Sequence, residues 1–122
     1  MSHTITWEPN GLLRKFSGTI KPDEILESNF EIHSQPKFKK ITYIINDFTE
    51  VNRGLINTSH TKIYASTDDI ISSTKGNLNI AIVINQESQS KLANNYRKEM
   101  KNEFFKCEIF QTIDDARTWV ES

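Results

Sequence analysis

The segment Leu78-Asn79-Ile80-Ala81-Ile82-Val83-Ile84 decides the fold class, because it contains the longest apolar run of the chain. It has the length of a strand and is far shorter than the ~18 apolar residues of a membrane helix. Apolar side chains at consecutive positions fall on both faces of a strand. The run therefore predicts a strand that is buried on both faces, as in a parallel sheet, and helices are expected on either side of it along the chain.

Both neighbouring segments have helical periodicity. Before the strand, residues 55–73 form the longest predicted helix, in which Ile56, Ile63 and Ile70 recur every seven positions. We expect this isoleucine stripe to face the core, and Lys75-Gly76-Asn77 to end the helix. After the strand, residues 87–102 form another helix, with Leu92, Ala93, Tyr96 and Met100 along one face and a basic stripe of Lys91, Arg97, Lys98 and Lys101 opposite.

The remaining elements complete an alternating order. Residues 3–7 and 12–18 alternate around the turn at 8–11 and predict a hairpin, and Pro22 starts a helix with Ile25, Leu26, Phe30 and Ile32 as its apolar stripe. A third strand runs over 41–45 and ends at Asn46-Asp47. A fifth covers 105–109, and a capping-box-like Thr112 starts a closing helix. The predicted fold is α/β, ββαβαβαβα, with a mostly parallel five-stranded sheet, an antiparallel N-terminal edge strand and four helices.

Composition limits the functional classes. The 122 residues fit one domain over 1–122, and 15 basic against 16 acidic residues argue against a nucleic-acid binder. The single cysteine, Cys107, permits no intrachain disulfide. The N-terminal sequence has no signal-peptide pattern and no segment has the length of a membrane span, so a cytoplasmic location is expected.

Positions spread over nearly the whole chain match one known domain family. They are Trp7 through the Gly11-Leu12 turn, Phe16-Ser17-Gly18, Phe38, Tyr43 through Asp47, Ala81-Ile82-Val83, Phe110, Ala116, Trp119 and Val120. Together with the element order, they resemble the SpoIIAA-like (STAS/Sec14-like) bacterial domain family. The resemblance implies a SpoIIAA/STAS-like fold and a regulatory partner of other proteins, although much of this branch has no assigned function.

The resemblance also directs attention to the segment after the third strand. Anti-sigma factor antagonists of the wider group are phosphorylated there, at an Asp-Ser-Ser-Gly-like element. Asp47 matches the acid that ends the strand, but the Ser-Ser-Gly element is absent. Thr58 and Ser59, near the predicted helix start, are the remaining candidate phospho-acceptors, because a phosphate there would meet the positive end of the helix dipole.

A catalytic or metal site is not expected. His3, His33 and His60 are far apart in sequence, the four glycines are too scattered for a phosphate-binding loop, and no cofactor is expected. Cys107 alternates with apolar neighbours and is interpreted as a buried, inert thiol. The adjacent acids Asp68-Asp69 point in different directions on a helix, and we interpret them as solvated surface.

One polar set accompanies the stripe of the long helix. Ser59, His60 and Thr67 are predicted to share its face. They could be half-buried groups bonded to the backbone, or they could line a small cavity or an interface.

A second candidate region lies at the carboxyl ends of the parallel strands, where open α/β sheets usually bind ligands. The loop after the third strand gives a candidate interaction surface of Asp47, Phe48, Thr49, Arg53 and Leu55.

Three functional classes remain, of which a non-catalytic regulatory or protein-interaction domain is favoured, mainly by the resemblance. The alternative is a small-molecule or lipid-binding module, and an enzyme is the third. The expected partners are a protein, or else a small apolar ligand, with no nucleic acid and no integral membrane segment. Exposed edge strands could also pair two copies into a homodimer.

Overall fold

One five-stranded sheet carries four α-helices in the computed structural model, which describes residues 3–122. The elements in chain order are β1 (His3–Trp7), β2 (Gly11–Ile20), α1 (Pro22–Ser34), a short 3-10 helix (Pro36–Lys40), β3 (Tyr43–Gly54), α2 (Thr58–Lys75), β4 (Leu78–Val83), α3 (Glu87–Glu99), β5 (Phe105–Phe110) and α4 (Ile113–Val120). No helix within 3–122 is both long and apolar enough to cross a membrane.

The sheet has the predicted topology. Its strands lie in the order β1-β2-β3-β4-β5; β1 pairs with β2 in antiparallel fashion, and all other pairs are parallel. The predicted α/β architecture, including the antiparallel N-terminal edge strand, is therefore confirmed.

The two faces of the sheet carry unequal layers, and β4 is buried between them as its apolar run predicts. Its residues Ile80 and Ile82 face the larger core, on the side of α1, α2 and α3. Ala81 and Val83 face a smaller core, which α4 covers with Ala116 and Val120.

Contacts of Tyr43 and Glu8 near the start of β2 connect α4 to the sheet. A Cβ atom on Gly11 would lie 2.3 Å from the ring of Tyr43, so only glycine leaves space for this tyrosine. The Tyr43 hydroxyl donates to Glu8, which also accepts two hydrogen bonds from Arg117 of α4, at 3.0 and 2.7 Å. The Arg117 hydrogen bonds lower the pKa of Glu8 below its usual value.

The end of the third strand and the apolar stripe of α1 differ from the prediction. The third strand does not end at Asn46-Asp47 but continues to Gly54, pairing with β2 across two register shifts. The segment predicted as a loop after residue 47 is therefore largely strand. In α1, Phe30 is 54% exposed and does not join the apolar stripe in the core.

The long helix α2 is rotated relative to the prediction. Ile63 and Ile70 are 50% and 73% exposed, whereas the buried face consists of Thr61, Tyr64, Ala65, Asp68 and Ser72. Specific partners offset the cost of burying these polar groups. Thr61 donates to Asn95, at 2.5 Å, and Ser72 donates to the Asp69 carbonyl, at 2.7 Å. The buried face of the helix therefore combines core residues with hydrogen-bonded polar side chains.

Candidate functional site

A cavity of about 120 Å³ lies beneath α2, between the sheet and the helices α1 and α3. Most of its walls are apolar and come from the parallel strands, among them Ile44, Ile80, Ile82 and Phe105. Its polar lining groups include Arg14, Asn29, His33, Asn46, Asp68 and Tyr96. The cavity therefore combines an apolar body with a polar cluster.

Arg14 is the basic residue of this cluster, and strand geometry places it there. In β2, side chains alternate between faces, so Arg14 shares the buried face with Leu12 and Phe16. Its exposed fraction is only 5%, and its guanidinium carbon lies 5.0 Å from the centre of the Phe16 ring. An arginine on the apolar side of an alternating strand is the sequence signal that could have revealed this buried cluster.

The hydrogen-bond partners of Arg14 are all neutral. Its Nε donates to Asn46, at 2.9 Å, and its Nη1 donates to Ser28, at 2.9 Å, and to Asn29, at 2.8 Å. No carboxylate oxygen of residues 3–122 lies within 4.0 Å of the guanidinium. Burial lowers the pKa of Arg14 to about 10, while the negative charge of Asp68 opposes this shift.

Asp68 is the acidic residue of the cluster, so its interpretation as solvated surface is wrong. It is 7% exposed on the inner face of α2 and accepts a hydrogen bond from the Tyr96 hydroxyl of α3. Burial raises the pKa of Asp68 to about 6, against the lowering effects of Tyr96 and Arg14. Its neighbour Asp69 instead accepts backbone hydrogen bonds from Lys101 and Asn102, which hold the segment after α3 against α2.

His33 completes the cluster with unsatisfied hydrogen-bonding capacity. Its side chain is 10% exposed, and its Nε2 lies 3.7 Å from Asp68 Oδ1, which is too long for a hydrogen bond. Its Nδ1 is buried without a partner among the described residues. Burial, together with the charge of Arg14, lowers the pKa of His33 to about 4, so the ring is neutral at physiological pH.

The polar set predicted from the long helix lies elsewhere. Asn57 caps α2, accepting from the backbone of Ser59 and His60, and His60 Nδ1 accepts from the Asn57 backbone at 3.0 Å. Thr67 donates to the Ile63 carbonyl on the outer side of the helix, at 3.0 Å. Ser59, His60 and Thr67 therefore do not line the cavity, because α2 contributes Thr61, Tyr64 and Asp68 instead. Thr58 and Ser59 are exposed at the helix start, and their phosphorylation stays a prediction.

The predicted interaction surface is divided between the core and solvent. Asp47 is buried and accepts from both the backbone and the hydroxyl of Thr49. Phe48 stacks on Phe16, with ring centres 4.7 Å apart, and lines the cavity. Arg53 and Leu55 are exposed. The five residues do not form one continuous surface, and Phe48 belongs to the cavity.

Comparisons with solved structures identify the fold. An uncharacterized protein of the DUF3478 family from Shewanella loihica PV-4, described as having a SpoIIAA-like fold, is 17% identical; the match covers 97% of this chain and 91% of that one, with a TM-score of 0.54. The anti-sigma factor antagonist SpoIIAA in its unphosphorylated form is 10% identical and covers 98% of each chain, with a TM-score of 0.63. The chain has a SpoIIAA-like fold. No protein-family model and no curated protein matches the sequence, and likeness at these identities extends to the fold alone.

Proposed function

We propose that this chain is a non-catalytic binding module that holds a small, mainly apolar molecule in the cavity beneath α2. The observation that carries this proposal is the combination of apolar walls with one convergent cluster of buried polar groups, which is typical of ligand sites. A dry cavity of about 150 Å³ accommodates benzene, so a volume of about 120 Å³ fits a compact ligand of similar size.

The environments of Cys107 and His33 favour ligand binding over catalysis. Cys107 is buried, and burial raises the pKa of its thiol to about 12, which keeps it in the protonated, unreactive form. His33 is neutral, but its nearest acidic neighbour lies outside hydrogen-bonding distance, so it is not oriented as a general base would be.

Filling the cavity tests the proposal. Ala93 of α3 lines it, so Ala93→Leu is expected to occupy the ligand's space. Native mass spectrometry of gently purified protein, followed by denaturing extraction, should detect a bound small molecule on the wild type and none on Ala93→Leu. Filling a cavity also commonly adds about 0.5–2 kcal/mol to the free energy of unfolding, so loss of fold is not expected.

The matched control is Lys91→Leu, which adds an apolar side chain at an exposed position of the same helix. It should retain the molecule that the wild type binds. Equal occupancy of the wild type and Ala93→Leu would contradict binding in this cavity.

Regulation through a protein partner is a second candidate function. Its support is the shared fold with an anti-sigma factor antagonist, together with the large apolar side chains Leu55, Ile63 and Ile70, which α2 and the residues before it expose. Intact-mass analysis of protein from its native cells tests the associated phosphoswitch. Phosphate on Thr58 or Ser59 in some growth state would support it, and unmodified protein in every state would contradict it.

A further inference from the structure

We propose that the ligand of the cavity is a small monocarboxylate, whose carboxylate binds Arg14 and whose short aliphatic body contacts the apolar walls. This inference rests on the proposed function, since it specifies the chemistry of the molecule that the cavity holds.

Arg14 carries a buried charge with no carboxylate in hydrogen-bonding contact. Buried arginines almost always have a counter-ion, yet this guanidinium is 5% exposed and has only neutral hydrogen-bond acceptors. Its Nη2 donates no hydrogen bond within residues 3–122. A ligand carboxylate would supply both a counter-ion in direct contact, which the more distant Asp68 is not, and an acceptor for this free donor.

Asp68, the acid of the cavity itself, competes only weakly with a ligand carboxylate for Arg14. Asp68 is more than 4.0 Å from the guanidinium, and Tyr96 already uses one of its oxygens. The groups that interact with Asp68 are Arg14 from β2, His33 from α1, Tyr96 from α3, Cys107 from β5 and the adjacent Asp69. When Asp68 takes up a proton, the cluster becomes net positive.

The apolar walls of the cavity limit the charge that a ligand can carry. Most of the other lining side chains are branched aliphatic or aromatic, including Ile80, Ile82, Leu92 and Phe105. A hydrated, polyanionic ligand would leave most of its charge without partners there. One carboxylate on a compact apolar body uses both parts of the cavity.

Calorimetric titration with butanoate and its neutral isostere butanamide, which have as many non-hydrogen atoms as benzene, tests the inference on the complete chain. At pH 6, the wild type should bind butanoate about tenfold more tightly than butanamide, because a charge-assisted hydrogen bond is about twice as strong as a neutral one. Lowering the pH from 8 to 5.5 should strengthen butanoate binding several-fold, as Asp68 loses its like charge, and should leave butanamide binding unchanged.

Arg14→Met should abolish the preference for butanoate while butanamide still binds, and Arg53→Met, which removes an exposed arginine, should keep the preference. Should Arg14→Met not fold, the ratio of the two affinities in the wild type and its pH dependence still decide. Equal or tighter binding of butanamide to the wild type, or an unchanged preference in Arg14→Met, would overturn the monocarboxylate assignment and leave the proposed binding function standing. Binding of neither compound would overturn both.

Discussion

Replacing Phe16 by alanine is expected to lower the free energy of unfolding by about 3–5 kcal/mol. Phe16 is fully buried at the centre of β2 and belongs to the larger core. Its ring stacks on Phe48, with the ring planes 6° apart, and it lies beneath the guanidinium of Arg14. Truncation leaves a void that these neighbours cannot close without losing their own contacts.

Such a loss is a large share of the roughly 5–15 kcal/mol that stabilises a typical domain. Urea denaturation at pH 7.5 measures it. The matched control is Phe30→Ala, because Phe30 is 54% exposed on α1 and should cost less than about 1 kcal/mol. Similar losses for the two variants would contradict the placement of Phe16 in the core.

Replacing Asp68 by asparagine is expected to raise the free energy of unfolding at pH 7.5 by up to roughly 3 kcal/mol. Burial raises the folded-state pKa of Asp68 from 3.8 to about 6, and each pKa unit corresponds to about 1.4 kcal/mol. Because the folded pKa is above the unfolded one, ionisation of Asp68 destabilises the fold progressively as the pH rises from about 4 to 6. Asparagine has no such charge and can still accept from Tyr96.

The increase in the free energy of unfolding caused by Asp68→Asn should vanish near pH 4, where the Asp68 carboxyl of the folded wild type is protonated. His33 acts in the opposite direction: burial lowers its folded pKa from 6.5 to about 4, so the fold loses stability as the pH falls through this range. In the wild type the two effects oppose each other, whereas in Asp68→Asn only that of His33 remains.

Denaturation at pH 4.5, 6 and 7.5 separates these effects. The stability of Asp68→Asn should decline toward low pH more steeply than that of the wild type. Glu103→Gln removes the same charge from an exposed position and should follow the wild-type profile. A pH-independent difference between Asp68→Asn and the wild type would show that Asp68 does not titrate as a buried acid.

Local sequence patterns predict the sheet because its strands obey simple periodicities. The apolar run of β4 fills both faces, and the alternation around the turn at 8–11 defines the hairpin. The extension of β3 to Gly54 could not be predicted this way, because its last residues are polar and mostly exposed. Pairing with β2, rather than apolar pattern, holds them in the sheet.

The orientation of α2 explains why the site was predicted incorrectly. Ile63 and Ile70 of its isoleucine stripe predict an inward face that the structure exposes, since Asp68 and Thr61 have specific partners on α3. Such partners are distant in sequence and leave no periodic trace. Arg14, in contrast, is visible in the sequence pattern as a charged residue on an apolar strand face. This type of irregularity is an informative sign of a buried site.

The most direct test of the account uses the isoleucine methyl groups as reporters of where a ligand lies. In a methyl NMR titration with butanoate and butanamide, we expect saturable shifts at the cavity residues Ile25, Ile44, Ile80 and Ile82. The exposed Ile63 and Ile70, and Ile45 on the opposite face of the sheet, should not move. Shifts confined to Ile63 and Ile70, or the absence of saturable shifts at the cavity residues, would contradict it.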